Sequence, residues 1–293
     1  MRKIHPYFFL LFTFLFIHCE NFGRLTVKAK LSKLLKEVSG IQYDAKRDAF
    51  WMVNDSGSSA SVFLVKEDGT ILHELKIDAD NNDWEDLTMD LEGNLYIGDF
   101  GNNGNERKNL RILKIDKNDL DKKGKVSVEE TKFIYPEQEK FPPKKKERHY
   151  DTEGFFEWNG NFYMFTKSRV KDEIGRTFLY KVSNREDSVA KQLYDSYRAK
   201  RISEFTTCKK EGCWITGADI SKDGTQVVLL HHKSAWIFTD FKDDAFFSGK
   251  AQEFSFGHES QKESITFKDN NTLYIADEQE GNLGRNLYAF RLN

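Results

Sequence analysis

Short segments that alternate between apolar and polar residues dominate the chain, and this alternation predicts β-strands. Helical spacing of apolar residues is confined to Lys30 to Val38, where Leu31, Leu34 and Leu35 suit one short amphipathic turn. Clusters of Asp, Asn and Gly separate the alternating segments, as expected for hairpin turns. The pattern therefore predicts an all-β chain.

A unit of roughly 55 residues recurs five times. Each copy begins with a small or acidic residue and an apolar strand, passes through a polar turn into an aromatic-rich second strand, and continues into a third. The first strands lie at 39–41, 85–87, 153–155, 218–220 and 263–265. The second strands begin at Phe50, Leu95, Phe162, Val227 and Leu273. Fourth strands are clearest at Ile71 to Ile77 and Val126 to Tyr135.

Repeated four-stranded antiparallel units predict a β-propeller, which protects its sheet edges by arranging them in a ring. The last copy stops at its third strand, 286–292, so the N-terminal segment Arg24 to Ala29 is expected to close the ring. Five blades are predicted over residues 39–293. Six blades remain an alternative, because the irregular stretch Asp187 to Glu204 has room for further strands.

The N-terminus has the features of an export signal. Arg2 and Lys3 precede ten residues, Phe8 to Ile17, that are apolar except for Thr13, too few for a spanning helix. Residues 1–18 are therefore predicted to be a signal peptide. The run Phe16-Ile17-His18-Cys19 resembles a bacterial lipoprotein signal, which implies that Cys19 becomes lipidated, with simple cleavage as the alternative. Residues 19–38 would then be a lipid-anchored linker with the closing strand. This predicts a protein anchored to the bacterial cell envelope, on its periplasmic or surface side, or else secreted.

Composition narrows the class of partner. Lys plus Arg number 45 against 47 Asp plus Glu, so no basic excess favours nucleic acid. A charged fraction of 31% with 14% aromatic residues is typical of a packed globular chain. Cys208 and Cys213 would form a local disulfide after export, with two free loop cysteines as the alternative.

Polar residues recur where the predicted first strands begin and the second strands end. Antiparallel pairing brings these positions to one mouth of the central channel. First candidates for metal ligands are Glu85, Glu153 and Glu263, which share one register, followed by Asp99 and Asp277; candidates for ligand binding are Asn54, Asp86 and Asp219. The same mouth is predicted to collect Asp55, Thr166 and Glu278.

Such crowding of carboxylates requires compensation. Two carboxylates about 6 Å apart repel by roughly 3 kcal/mol at an effective dielectric near 20. A divalent cation, calcium above all, would relieve the repulsion, as would protonation or a salt bridge to Lys167. Alternatively, each acidic residue only accepts hydrogen bonds from the backbone of a neighbouring blade.

No catalytic motif is present: the chain has no G-x-S-x-G elbow, phosphate-binding glycine loop or HExxH. Weak candidates for catalytic groups are Lys167, His231 and His232, with His149 as a further general base. His231 and His232 are adjacent in a strand, so at most one of them can face the mouth. Any chemistry is therefore expected to use metal-activated water.

Four pairs of motifs and one single motif support a family resemblance. They are SGIQY with NDSG, DWEDLTMD with GNLYIGDFGNN, YDTEGFF with FTKSR, ITGADISKDG, and KESITF with LYIADE, between Ser39 and Glu278. On these motifs the chain resembles a group of uncharacterised secreted bacterial β-propeller proteins, a resemblance that implies the fold and no activity. In architecture it is distantly similar to the gluconolactonase and paraoxonase propellers. Those are six-bladed, hold Ca²⁺ in the central channel and hydrolyse lactones or esters, but their ligand motifs do not map onto this sequence.

Three functions are consistent with the sequence. The first is an exported lipoprotein whose acidic mouth binds a divalent cation and a small ligand or an envelope partner. The second is a calcium-dependent hydrolase of lactone, ester or phosphoester substrates. The third is an interaction scaffold in which the acidic residues only join the blades.

Overall fold

The computed structural model describes residues 21–184, 197–208 and 212–292. The predicted signal peptide and the lipidation site at Cys19 lie outside these residues. Within them the chain forms five small sheets arranged as the blades of a β-propeller, so the all-β prediction and the blade number of five are confirmed. None of the helices in these ranges is long and apolar enough to cross a membrane.

Each blade has four antiparallel strands, ordered from the axis outward. Blade 1 consists of β2 (Val38–Asp44), β3 (Ala49–Asn54), β4 (Ser61–Val65) and β5 (Ile71–Ile77). Blade 2 consists of β6 (Trp84–Met89), β7 (Leu95–Asp99), β8 (Arg111–Ile115) and β10 (Glu129–Ile134). Blade 3 consists of β11 (Asp151–Trp158), β12 (Asn161–Lys167), β13 (Arg176–Ser183) and β15 (Lys200–Thr206). Blade 4 consists of β16 (Gly217–Ile220), β17 (Val227–Leu230), β18 (Ser234–Thr239) and β19 (Lys250–Ser255). Blade 5 consists of β20 (Lys262–Asp269), β21 (Thr272–Asp277), β24 (Asn286–Arg291) and β1 (Thr26–Lys30).

The N-terminal strand closes the ring as predicted. β1 pairs antiparallel with β24, with Thr26 opposite Ala289 and Lys30 opposite Asn286. The outermost strand of blade 5 is therefore contributed by the other end of the chain. This pairing covers a sheet edge that would otherwise present free backbone groups.

Short elements connect and extend the blades. The strand predicted over Val126 to Tyr135 is divided: β9 (Lys125–Val126) pairs in parallel with β5 of blade 1, and only β10 belongs to blade 2. The other short elements are β14 (Tyr197–Arg198), which pairs with β10, the β22–β23 hairpin (Gln279–Glu280, Leu283–Gly284), and 3₁₀ turns at Lys33–Leu35, Lys145–Glu147 and Phe246–Ser248. A disulfide joins Cys208 to Cys213, with Cα atoms 5.9 Å apart.

The hydrophobic core is divided into five clusters, one between each pair of neighbouring blades. Trp51 of blade 1 and Leu87 of blade 2 belong to one cluster, and the ring centroids of Tyr96 in blade 2 and Phe162 in blade 3 lie 5.1 Å apart. Both faces of each sheet are therefore covered, which accounts for the runs of consecutive apolar residues in the second strands. This packing fixes the innermost strands around one axis.

Candidate metal centre

The three glutamates predicted to share a register begin the innermost strands at a common irregularity. Strand pairing skips one residue at Glu85, Glu153 and Glu263, and likewise at Ser39 of blade 1. Such a bulge re-aims the side chain of the extra residue. Glu85 and Glu153 interact electrostatically, as do Glu153 and Glu263, so the three side chains share one mouth of the propeller as predicted.

The predicted alignment of blade 4 is wrong by two residues. The Ser39 hydroxyl donates to the carbonyl of Trp84 at 2.8 Å, and the Thr216 hydroxyl donates to the carbonyl of Lys262 at 2.7 Å. Both acceptors directly precede a mouth glutamate of the next blade. Thr216, and not Ala218, therefore occupies the glutamate register in blade 4.

Further carboxylates join the glutamates. We define the mouth cluster as Asp55, Asp83, Glu85, Asp151, Glu153, Glu263 and Glu278. Carboxylate oxygens of Asp55, Asp83 and Glu85 lie within 4.8 Å of one another, and so do those of Glu85, Asp151 and Glu153. Glu85 thus belongs to both groups.

Asp83 and Asp151 were not among the predicted ligands. A repeated signal was present, because Asp83-Trp84-Glu85 and Asp151-Thr152-Glu153 place an aspartate two residues before the register glutamate in adjacent blades. Residues two apart in an extended strand point to the same side.

Glu85 is a buried carboxylate with no partner of opposite charge. Its relative exposure is 8%, and no hydrogen bond or ion pair joins its carboxylate to any other residue in the described ranges. Its charged neighbours are the acidic residues of the cluster. A buried charge without compensation is strongly unfavourable, so the Glu85 carboxylate would be stabilised by binding a proton or a cation.

Basic residues compensate only one side of the cluster. Lys167 Nζ lies 3.0 Å from Glu153 Oε1, and Arg169 lies 2.5 Å from Asp151 and 3.1 Å from Glu153. On the Asp55 side, the nearest ion-pair contact among the described residues is Arg107 Nη1, 3.9 Å from Asp83 Oδ2. The Asp55–Asp83–Glu85 group is therefore less well compensated by basic residues than the Glu85–Asp151–Glu153 group.

The pKa values of several carboxylates in the mouth cluster are raised. Burial is the main cause in each case, and neighbouring carboxylates add to it. The pKa of Asp55 is raised to about 6, that of Glu278 to about 9, and that of Glu85 well above its usual range. The pKa of Glu153 is raised to about 8 even though Lys167 opposes the shift.

The loop after β7 shapes the floor of the cluster. A Cβ atom built on Gly101 would lie 2.0 Å from Glu85 Oε1 and 2.6 Å from Asp83 Oδ2, so only glycine leaves room for both carboxylates. The backbone N–H of Asn102 donates to Asp151 Oδ1 at 2.7 Å. The GDFGNN motif thus positions three members of the cluster.

Asp99 and Asp277, the second pair of predicted metal ligands, lie outside the cluster. Asp99 is fully buried and accepts hydrogen bonds at 2.8 Å from both Arg107 and Arg111. Asp277 accepts from the Tyr288 hydroxyl at 2.6 Å and from the Asn286 N–H at 2.6 Å. Both carboxylates face into their own blades.

The predicted ligand-binding residues also have internal partners. Asp86 Oδ2 accepts from the Phe155 N–H of blade 3 at 3.1 Å, and Asp219 Oδ2 accepts from the Phe267 N–H of blade 5 at 2.8 Å. These two aspartates join neighbouring blades through the backbone, which is the alternative role that the sequence leaves open. The Asn54 amide donates to the Leu34 carbonyl at 2.7 Å.

The adjacent histidines follow the end of β17 at Leu230, outside the strand in which they were predicted, and make different contacts. His232 Nε2 lies 2.9 Å from Glu263 Oε1 at the mouth. His231 is buried, which lowers its pKa to about 3. His149 lies away from the cluster, 3.1 Å from the Ser168 hydroxyl. Of the three, only His232 is positioned for chemistry at the mouth.

The Asp55–Asp83–Glu85 group fits a hard divalent cation. Oxygens within 4.8 Å of one another can share a central ion at the 2.3–2.6 Å typical of Ca²⁺. All of these ligand atoms are oxygens, which favours Ca²⁺ over zinc. Asp55 and Asp83 are only partly buried, so the outer side of such an ion would face solvent.

Comparison with known proteins supports the fold. No protein-family model matches the chain, and no curated protein matches it. A gluconolactonase from Xanthomonas campestris is structurally similar, with a TM-score of 0.51 and 10% identity over 92% of this chain and 90% of that one. The PQQ-bound aldose sugar dehydrogenase of Streptomyces coelicolor has a TM-score of 0.51 and 10% identity over 92% and 98%. These likenesses confirm a propeller architecture and establish no activity.

Proposed function

We propose that the protein is an exported, lipid-anchored propeller whose mouth cluster binds Ca²⁺ through Asp55, Asp83 and Glu85. The ion in turn holds a small oxygen-bearing ligand or a component of the cell envelope. Glu85 carries the proposal, because it is a buried carboxylate without a partner among the described residues and belongs to both close groups of acids.

The geometry supports binding of a further ligand by the ion. Ca²⁺ takes six to eight oxygen ligands, and three carboxylates supply only part of that number. The partial exposure of Asp55 and Asp83 leaves the remaining coordination positions on the solvent side. A carboxylate, phosphate or polyol oxygen is the ligand chemistry that suits such positions.

Calcium-dependent melting of the purified protein tests the cation site. A ligand at a hundred times its Kd adds roughly 2.7 kcal/mol to stability, which raises the melting temperature by about 5 °C or more for a domain of this size. Glu85→Gln should abolish the shift, and Glu139→Gln, a change at an exposed glutamate, should preserve it. Equal melting temperatures in EDTA and Ca²⁺ would contradict the cation site and would favour the interaction scaffold as the function.

A calcium-dependent hydrolase is the second candidate, and His232 favours it. Its imidazole is held by Glu263 at the same mouth, where it could act as a general base next to a metal-bound water. The structural similarity to a gluconolactonase suggests lactones for the first assays. Hydrolysis of a lactone, ester or phosphodiester that is lost in both His232→Gln and Glu85→Gln would support the enzyme. No turnover across this panel would leave binding as the function.

The lipid anchor is tested separately. Cys19→Ser should move the protein from the membrane fraction to the soluble fraction of the expressing bacterium, because the residue that receives the lipid is removed. A variant that remains in the membrane fraction would contradict lipid anchoring without affecting the cation site.

A further inference from the structure

A cavity opens at the end of the propeller axis opposite the mouth cluster. The innermost strands begin at the mouth cluster and end around a cavity of about 470 Å³, to which all five blades contribute. This volume lies within the range of small-molecule sites. We call it the opposite cavity.

The innermost strands of neighbouring blades pack closely between the two ends of the axis. A Cβ atom on Gly40 would lie 2.8 Å from the Asp86 backbone, and one on Gly154 would lie 2.6 Å from Ala218 N. The innermost strands therefore contact one another closely. The opposite cavity and the mouth cluster share no residue, so they are two separate sites.

Apolar and aromatic side chains line much of the opposite cavity. They come from all five blades and are Tyr43, Met89, Trp158, Ile220 and Phe267. Leu91 stands at the rim with 68% of its surface exposed. Such walls favour a ligand with an apolar body.

The rim carries lysines that have no ion-pair partner. Lys46, Lys117, Lys222 and Lys268 come from four blades, and none forms an ion pair with a carboxylate in the described part of the chain. Lys268 lies near two aromatic rings, 5.6 Å from the Tyr43 centroid and 5.4 Å from that of Tyr274. These ammonium groups are available to an anion.

Most carboxylates around the opposite cavity already have donors. Asp44 binds Arg47 at 2.6 Å, Asp90 accepts from the Tyr96 hydroxyl at 2.9 Å, and Glu157 accepts from the Gly160 N–H at 2.6 Å. Asp219 is held by the backbone of blade 5. Only Asp44 is paired with a cation, and burial raises the pKa values of Glu157 and Asp219 to about 7. The four lysines therefore face two carboxylates, Asp90 and Glu92, that have no basic partner among the described residues.

From these observations we infer that the opposite cavity binds a small organic anion with an aromatic or aliphatic body. The apolar body lies against Trp158, Met89 and Tyr43, and the anionic group reaches the rim lysines. One propeller would then hold a cation at its mouth and an organic anion at its other face.

Fluorescence titration with 8-anilinonaphthalene-1-sulfonate, an apolar anion, tests the inference, with uncharged N-phenyl-1-naphthylamine as its matched probe. Saturable binding of the sulfonate at one site per chain is expected. Combining Lys117→Gln with Lys222→Gln should weaken sulfonate binding about tenfold and leave the neutral probe unaffected. Leu91→Ser, at an exposed position that the fold tolerates, should weaken both probes.

Two controls decide the outcome. Lys145→Gln with Lys146→Gln removes the same charge from an exposed 3₁₀ turn away from the cavity and should change nothing. EDTA should also change nothing, so failure of the cation site and failure of this site are distinguishable. Unsaturable binding, or equal weakening by the two lysine pairs, would overturn the proposal.

Discussion

Single side chains decide what the mouth can do, and Glu85 is the clearest case. Its position at the start of an innermost strand was predictable from the sequence, because Glu85, Glu153 and Glu263 recur at the same point of the repeat. The bulge that turns these side chains toward one another was not readable, because it depends on the pairing with the second strand. Asp99 and Asp277 show the same limit, since buried partners turn them into their blades.

Gly101→Ala is expected to keep the fold and lose the calcium effect. The added methyl would meet the flexible carboxylate ends of Glu85 and Asp83, which can move aside, and moving them would disrupt the ligand set. Melting in EDTA should change by less than about 2 kcal/mol, whereas the stabilisation by Ca²⁺ should disappear. A full calcium response in this variant would contradict the placement of the ion.

Among the strands, buried aspartates and hydroxyls link the innermost members of neighbouring blades. The sequence alignment of blade 4 was based on the acidic residue Asp219 and therefore missed Thr216. The uncharged Thr216 occupies the position of the glutamates in the other blades and donates its hydroxyl to blade 5. Asp219 instead receives N–H groups from β16 and β20. The strand order and the turns were predictable from the sequence repeat. The residues that link neighbouring blades were not predictable, because their contacts form only when the blades pack into a ring.

The link through Asp219 predicts a pH dependence of stability. Burial raises its pKa from 3.8 to about 7, so the folded state binds a proton more tightly than the unfolded state. The stability contributed by this group is full below pH 4 and falls as the pH rises to about 7, by an amount of the order of 4 kcal/mol. Urea unfolding of Asp219→Asn should show a flatter decline over this range.

Asp172→Asn is the matched control, because Asp172 is exposed. It should keep the pH profile of the unaltered protein. Identical profiles for Asp219→Asn and the unaltered protein would contradict a buried, proton-binding link between blades 4 and 5.

The whole molecule depends on closure of the ring by β1. Closure was predictable because the last repeat lacks a fourth strand and the N-terminus offers one. It brings carboxylates from blades 1, 2, 3 and 5 to a single mouth, although Asp55 and Glu278 are more than two hundred residues apart in sequence. The boundaries of short strands such as β9 and β14 were not predictable, because they pair in parallel across connections.

Deletion of residues 1–30 is expected to expose the edge of β24, including the buried Leu287 that lies opposite Ala29 of β1. The shortened protein should unfold at lower temperature and self-associate on size-exclusion chromatography, as exposed sheet edges do. Deletion of residues 1–20 leaves β1 intact and is the control. A monomeric, equally stable product of the longer deletion would contradict the closing role of β1.

A divalent cation in the mouth cluster underlies the proposed function, and a crystal structure of the calcium-treated protein is the decisive test. We expect an anomalous peak bounded by Asp55, Asp83 and Glu85, with oxygen distances of about 2.3–2.6 Å, which is absent from crystals of Glu85→Gln. A mouth that contains only water under saturating calcium, with Glu85 in the same position, would contradict the cation site.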